Sequence, residues 1–147
     1  MYHSAVPKGE RVYVALGSNV GDREAHLAHG RARLATLPRT RLSAISSVEE
    51  TAPLGPVPQG PYLNQMVLLE TELTPAEMLR HLHAIEGERG RVRSLRWGPR
   101  TLDLDIVRFG DRQLHEPGLT IPHPELQHRA FWLREIAELD QIPSLHD

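Results

Sequence analysis

The chain contains no cysteine. Disulfides, thiolate nucleophiles and sulfur-based zinc sites are therefore excluded. Aromatic residues make up only 5% of the 147 positions, which counts against a sheet that stacks RNA bases on exposed strand aromatics. No apolar run approaches the roughly 20 residues of a membrane span. The first residues also lack a signal-peptide core, so a cytoplasmic protein without a membrane partner is expected. Neither sign of charge dominates. The net charge of −2 argues against bulk nucleic-acid binding, while leaving room for a local basic cleft. What is present is ordinary for a soluble globular domain: 39% apolar and 24% charged residues, in a chain long enough to bury one core. A single domain over 1–147 is expected, with a loose polar leader at 1–10.

Alternation at 11–17, with Val12, Val14 and Leu16 on one face, predicts a strand. Asp22 caps a predicted helix over about 23–37, with Leu27, Leu34 and Leu37 inward. Residues 41–50 and 62–73 read as two further strands. Thr74-Pro75-Ala76-Glu77 is a capping box with proline at the first helical position, and the helix it opens buries Met78, Leu79, Leu82 and Ile85. A fourth strand is predicted over 101–109, a short one near 113–115 and a short helix around 124–130. The order β-α-β-β-α-β is that of an α+β, ferredoxin-like fold. Such a fold has an antiparallel sheet with both helices on one face, here with a short C-terminal addition.

The densest chemistry lies in Arg96-Trp97-Gly98-Pro99-Arg100-Thr101-Leu102-Asp103-Leu104-Asp105. Strand alternation puts Asp103 and Asp105 on one face, with Cα atoms about 6.5–7 Å apart. Two carboxylates that close repel unless a cation sits between them. Mg²⁺ is usually held by one or two carboxylates plus substrate phosphates. The neighbouring arginines suit those phosphates, because the guanidinium fork binds them bidentately. Arg89, Arg91, Arg93, Arg96 and Arg100 lie in or beside one glycine-punctuated loop, which suits a lid over polyphosphate. The competing reading is a solvated charged loop beside an exposed strand edge.

Other features are weaker alone. Residues 53–61 hold four prolines and can be neither helix nor central strand. Asn64 shares a strand face with Tyr62, Met66 and Leu68, so its amide needs partners, which the edge of a pterin or purine ring or a capped internal loop would supply equally well. His123 and Arg129 could reach phosphates, and Phe131 could form an aromatic wall. His26, His29, His81 and His83 read as surface residues. Gly17-Ser18-Asn19 before a helix is only a weak phosphate-cradle signal.

Taken together, these residues resemble the 6-hydroxymethyl-7,8-dihydropterin pyrophosphokinase family. The resemblance runs from Val14-Ala15-Leu16-Gly17-Ser18-Asn19 through Thr51-Ala52-Pro53-Leu54-Gly55-Pro56 and Tyr62-Leu63-Asn64. It continues through Gly90-Arg91-Val92-Arg93 and the arginine–aspartate run to Pro122-His123-Pro124. It implies transfer of pyrophosphate from ATP to the hydroxymethyl group of the dihydropterin, with release of AMP. By matching position it implies that Asp103 and Asp105 hold two Mg²⁺ ions. Thr51, Ala52, Leu54, Tyr62, Asn64, Trp97, Asp103 and Phe131 would meet the pterin. Arg91, Arg93, Arg100, His123 and Arg129 would face the triphosphate, with Glu86, Ile106 and Thr120 near the nucleoside and Trp97 also counted among the ATP-binding residues. Arg91, Arg93, Arg100, Asp103 and Asp105 would carry the catalysis. A monomer acting on ATP and the dihydropterin, without nucleic acid, is expected. Three features depart from the family pattern: a shorter arginine loop, Gly118 where an arginine is frequent, and a shortened stretch after Leu133. A single-stranded RNA module and a non-catalytic ATP sensor are the competing functions.

Overall fold

The structure is a computed structural model that describes residues 9–53, 59–90 and 101–142. Its elements are β1 (Glu10–Ser18), α1 (Arg23–Leu34), β2 (Thr40–Ile45), β3 (Glu49–Thr51), β4 (Tyr62–Thr71), α2 (Pro75–Glu88), β5 (Asp103–Phe109), β6 (Leu114–Glu116), β7 (Leu119–Ile121) and α3 (Ala130–Asp140). The main sheet runs β2-β4-β1-β5, all antiparallel, and β3 pairs with β4 beyond the end of β2. This is the expected α+β ferredoxin-like order.

Period-two alternation gives the sheet two apolar faces. Val12, Val14 and Leu16 of β1 pack with Leu27 and Leu34 of α1 and with Met78, Leu82 and Ile85 of α2. The opposite face carries Tyr13, Ala15, Met66 and Leu68, covered by Trp132, Ile136 and Leu139 of α3. Both core helices, α1 and α2, thus lie on one face as expected, and the C-terminal addition proves to be a full helix, α3, that covers the other. Its apolar positions fall at spacings of four and three, as an amphipathic helix requires.

Local chemistry explains most element ends. Asp22 caps α1 by accepting from the Ala25 amide at 3.1 Å. The helix stops at Leu34 rather than 37, although Leu37 is still buried. At α2 the Thr74 hydroxyl accepts the Glu77 amide at 3.1 Å, and the Glu77 carboxylate accepts the Thr74 amide at 2.8 Å. Thr74→Ala is expected to cost about 1 kcal/mol. The check is a lower urea midpoint with an unchanged denaturant slope; an unchanged midpoint would mean the cap contributes nothing.

The predicted strand over 41–50 is split into β2 and β3 by the serines between them. The Ser46 hydroxyl accepts the Met66 amide at 2.9 Å, and the Ser47 amide donates to Glu138 of α3 at 2.9 Å. Side chains thus take over ladder positions, as serine readily does. A bulge in the β1–β5 pairing adds Val107 between Ile106 and Arg108. It lets Val107 face α3 while Phe109, two residues on, enters the opposite core. The predicted short helix around 124–130 is a single 3₁₀ turn at Leu126–His128. The β6–β7 hairpin turns on Pro117-Gly118, and Gly118 adopts a φ of +76°, a conformation that favours glycine there.

Candidate active site

Antiparallel register aligns the polar residues of the α3-side face into rows. Gly17 lies opposite both Asn64 of β4 and Asp103 of β5, and Ala15 lies opposite both Met66 and Asp105. Directly opposed residues share a face. Asp103, Asp105 and Asn64 therefore project on one side of the sheet, with no side chain at Gly17 between the amide and the first carboxylate. The intervening Leu104 and Ile106 are buried in the other core and hold the strand in that orientation.

β5 is the end strand of the sheet, and a cavity of about 280 Å³ opens along it. Asp103, Asp105 and Ile106 line one wall. Glu86 and His83 of α2 form another, and Thr120 and His123 close the side near the β6–β7 hairpin. His83 is exposed, as the sequence reading has it, but its exposure is at this rim. Its one-turn spacing from Leu79 and three-residue spacing from Glu86, which also line the cavity, was the signal for its place there.

Glu86 is only 2% exposed, and its carboxylate accepts the Leu104 amide at 2.7 Å. It thereby ties α2 to the strand that carries both aspartates. His123 is positioned by its own backbone, whose amide donates to the Val107 carbonyl at 2.9 Å. Its Nδ1 accepts the Glu125 amide at 3.0 Å, so the neutral ring carries its proton on Nε2. Nε2 stands 3.8 Å from Asp105 Oδ1. Burial, reinforced by Arg129, pulls the His123 pKa down to about 4. The ring is therefore a neutral donor at pH 7, not a competing cation. The Trp132 indole meets the imidazole edge-on at 4.8 Å and carries the Arg129 guanidinium over its face at 4.3 Å. Arg129 Nε is buried and meets no acceptor among the described residues.

Around Asn64 the amide donates to the Thr51 hydroxyl at 2.5 Å, which joins β3 to β4 beside the carboxylates. Tyr62 is half-buried on the same strand face, and Ala52 is exposed at the start of the proline-rich loop. Phe131 packs against the α3-side cluster, with its ring 6.2 Å from that of Trp132. Asn19 reaches across to the proline-rich loop. Its amide donates to Gln59 Oε1 at 2.6 Å and to the Gly60 carbonyl at 3.3 Å, fastening the far end of the proline-rich loop. Leu54, Arg91, Arg93, Trp97 and Arg100 lie outside the described residues.

Among the described residues no three acidic or histidine side chains converge as a closed metal cage. The donor set is instead two half-buried carboxylates at a cavity wall, with a neutral imidazole beside them. That set fits a hard divalent ion that takes its remaining ligands from phosphate and water.

The chain matches the family model of 7,8-dihydro-6-hydroxymethylpterin-pyrophosphokinase over residues 13–141. It is 48% identical over 130 residues to 2-amino-4-hydroxy-6-hydroxymethyldihydropteridine pyrophosphokinase of Pseudomonas aeruginosa, covering 88% of this chain and 80% of the relative. The protein of the same name from Bacillus subtilis is 43% identical over 129 residues, covering 88% and 77%. That from Haemophilus influenzae is 41% identical over 127 residues, covering 86% and 79%.

Proposed function

The chain belongs to the 7,8-dihydro-6-hydroxymethylpterin-pyrophosphokinase family of folate biosynthesis, and from that premise we propose how its own residues carry the transfer. The substrates are ATP and 6-hydroxymethyl-7,8-dihydropterin, and the products are AMP and the dihydropterin pyrophosphate. The reading has a single-domain monomer acting in the cytoplasm. The observation that supports it most is the shared sheet face of Asn64, Asp103 and Asp105 beside a cavity.

Asp103 and Asp105 would hold two Mg²⁺ ions, which when bound neutralise phosphate charge and favour ionisation of the attacking hydroxyl. Asn64, oriented by Thr51, offers a donor and an acceptor to the pterin edge, and the backbone near Ala52 and Leu54 extends that contact. Tyr62 lines the pocket, and Trp97 and Phe131 enclose the ring. Glu86, Ile106 and Thr120 border the nucleoside. Arg91, Arg93, Arg100 and Arg129, with the neutral Nε2–H of His123, donate to the triphosphate. The hydroxymethyl oxygen attacks the β-phosphorus in line, and the α–β bridging oxygen leaves with AMP. Positioning and preorganised positive charge carry such a step.

The direct test is nucleotide analysis after mixing ATP, Mg²⁺ and dihydropterin. AMP should form one-for-one with the pterin product; ADP in its place would contradict attack at the β-phosphorus. Asn64→Ala should raise the pterin KM roughly 10- to 100-fold, as for one or two lost buried hydrogen bonds, with the ATP KM nearly unchanged. Equal losses for both substrates would remove Asn64 from the pterin pocket.

A further inference from the structure

Helix α3 meets β3 through carboxyl groups. Glu135 is 1% exposed, and neither of its oxygens meets a donor among the described residues. Glu49 Oε2 is likewise buried without a donor. What Glu135 faces is the Glu49 carboxyl. Two acceptors in contact make a bond only when one carries a proton, and the pair is otherwise a buried repulsion. The surroundings decide which one carries it. Arg134 donates to Glu49 Oε1 at 2.9 Å and keeps that group charged. Arg134 also favours the charged form of Glu135, but less than burial and the Glu49 carboxyl oppose it, and Glu138 adds like charge nearby. Glu138 itself is engaged by the Ser47 amide and hydroxyl, both at 2.9 Å. Of the other strands beneath α3, β4 presents Met66 and Leu68, with its Glu70 paired to Arg41, β2 presents Ala44 and β5 Val107, and β1 presents Ala15 and Tyr13, whose hydroxyl donates to Asp140 at the C-terminal end of α3.

The position of this pair gives it a consequence. Glu49 is opposite Asn64 in the β3–β4 register and two residues before Thr51, the hydroxyl that orients the Asn64 amide. β3 has only three residues and one neighbouring strand, so its placement depends on what α3 does to it. We propose that the protonated Glu135 carboxyl donates a hydrogen bond to the Glu49 carboxylate and that this bond positions β3, and with it Thr51 and Asn64, for the pterin. This rests on the reading that Thr51 and Asn64 meet the pterin. Glu135 and Glu49 are positioning residues and touch no substrate.

Burial and then the Glu49 bond push the Glu135 pKa up to about 9. Burial also acts upward on Glu49, but the hydrogen bonds from Glu135 and Arg134 hold it below the usual carboxylate range. Between the ordinary value of 4.5 and about 9, the folded state keeps a Glu135 proton that the unfolded chain has released. Stability therefore falls as pH rises through that window, and the loss is complete above it. Glu135→Gln carries a permanent donor and no such proton.

Three measurements on the full chain decide the matter. The ¹³C shift of the Glu135 side-chain carboxyl should report a neutral acid at pH 7, and the melting temperature of E135Q should pull ahead of wild type as pH rises from 5 to 9. At neutral pH E135Q should keep the wild-type pterin KM. E135M, which offers no donor, should raise it at least about fivefold, as for one lost hydrogen bond, with kcat and the ATP KM little changed. Above pH 9 the wild-type pterin KM should rise relative to E135Q, a ratio in which the substrate's own titration cancels; it decides the matter should E135M not fold. An ionised Glu135 at pH 7, or a ratio that stays flat, overturns the proposal. A pterin KM unmoved in E135M but raised in N64A overturns the pair's role and leaves the pterin pocket standing. A KM unmoved in both variants overturns the pocket reading and the pair's role with it.

Discussion

Asp105→Ala is expected to lower AMP formation at least about a thousandfold, beyond what removing one preorganised donor costs. Asp105 has its neighbour Asp103 on the same strand face, and both line the cavity. Removing one halves the negative charge available to a divalent ion and leaves the phosphates facing a weaker cation site. The Asp105 side chain is 30% exposed, so its removal opens no buried cavity. The melting temperature should therefore stay within a few degrees of wild type, or rise slightly because a like-charge neighbour is gone. Asp103→Ala should behave alike in turnover, and it should also weaken pterin binding. The measurement is steady-state AMP release alongside a thermal melt. Ordinary turnover in a folded Asp105 variant would end the metal assignment.

Trp132→Ala should cost about 3–5 kcal/mol of stability, the range for deleting a large buried aromatic. Trp132 is 2% exposed and is the largest side chain that α3 places against the sheet. The same residue touches His123 edge-on and Arg129 face-on, so the cavity that remains also frees the two groups proposed to donate to the triphosphate. A rise in the ATP KM of about tenfold is expected beyond the stability loss, as for one charge-assisted hydrogen bond weakened. Trp132→Phe should recover much of both. Urea unfolding followed by circular dichroism gives the first number and initial-rate kinetics the second. A stability loss under about 1 kcal/mol would mean that α3 is a surface element rather than half of the core.

The parts of this molecule that were legible in its sequence are those with local causes. Alternation alone placed Asp103 and Asp105 on one face, and the capping box located the start of α2 at Pro75. Elements that depend on distant partners were harder. The 41–50 stretch alternates well enough for one strand, but Ser46 and Ser47 trade ladder bonds for contacts with Met66 and Glu138. β7 is a three-residue strand that exists through its hairpin with β6, and the Pro117-Gly118 turn was the available signal. Gly118 is conspicuous in the sequence for the arginine it replaces, whereas the structure gives it a turn to make. Helix α3 carried a readable apolar period in Trp132, Ile136 and Leu139, which a reading that stopped at a short helix near 124–130 passed over. The Glu49–Glu135 contact joins residues far apart in the chain and leaves no local pattern. The roles of Arg91, Arg93, Trp97 and Arg100 rest on sequence resemblance, since they lie outside the described residues.

The central claim is that Asp103 and Asp105 together anchor divalent ions beneath the phosphates of a nucleotide. Isothermal titration with a non-hydrolysable ATP analogue, run with and without magnesium on wild type and on the Asp103→Asn/Asp105→Asn double variant, measures this directly. Tight binding that needs magnesium in the wild type and is lost in the double variant is the predicted result. Equal affinity in all four titrations would contradict the claim.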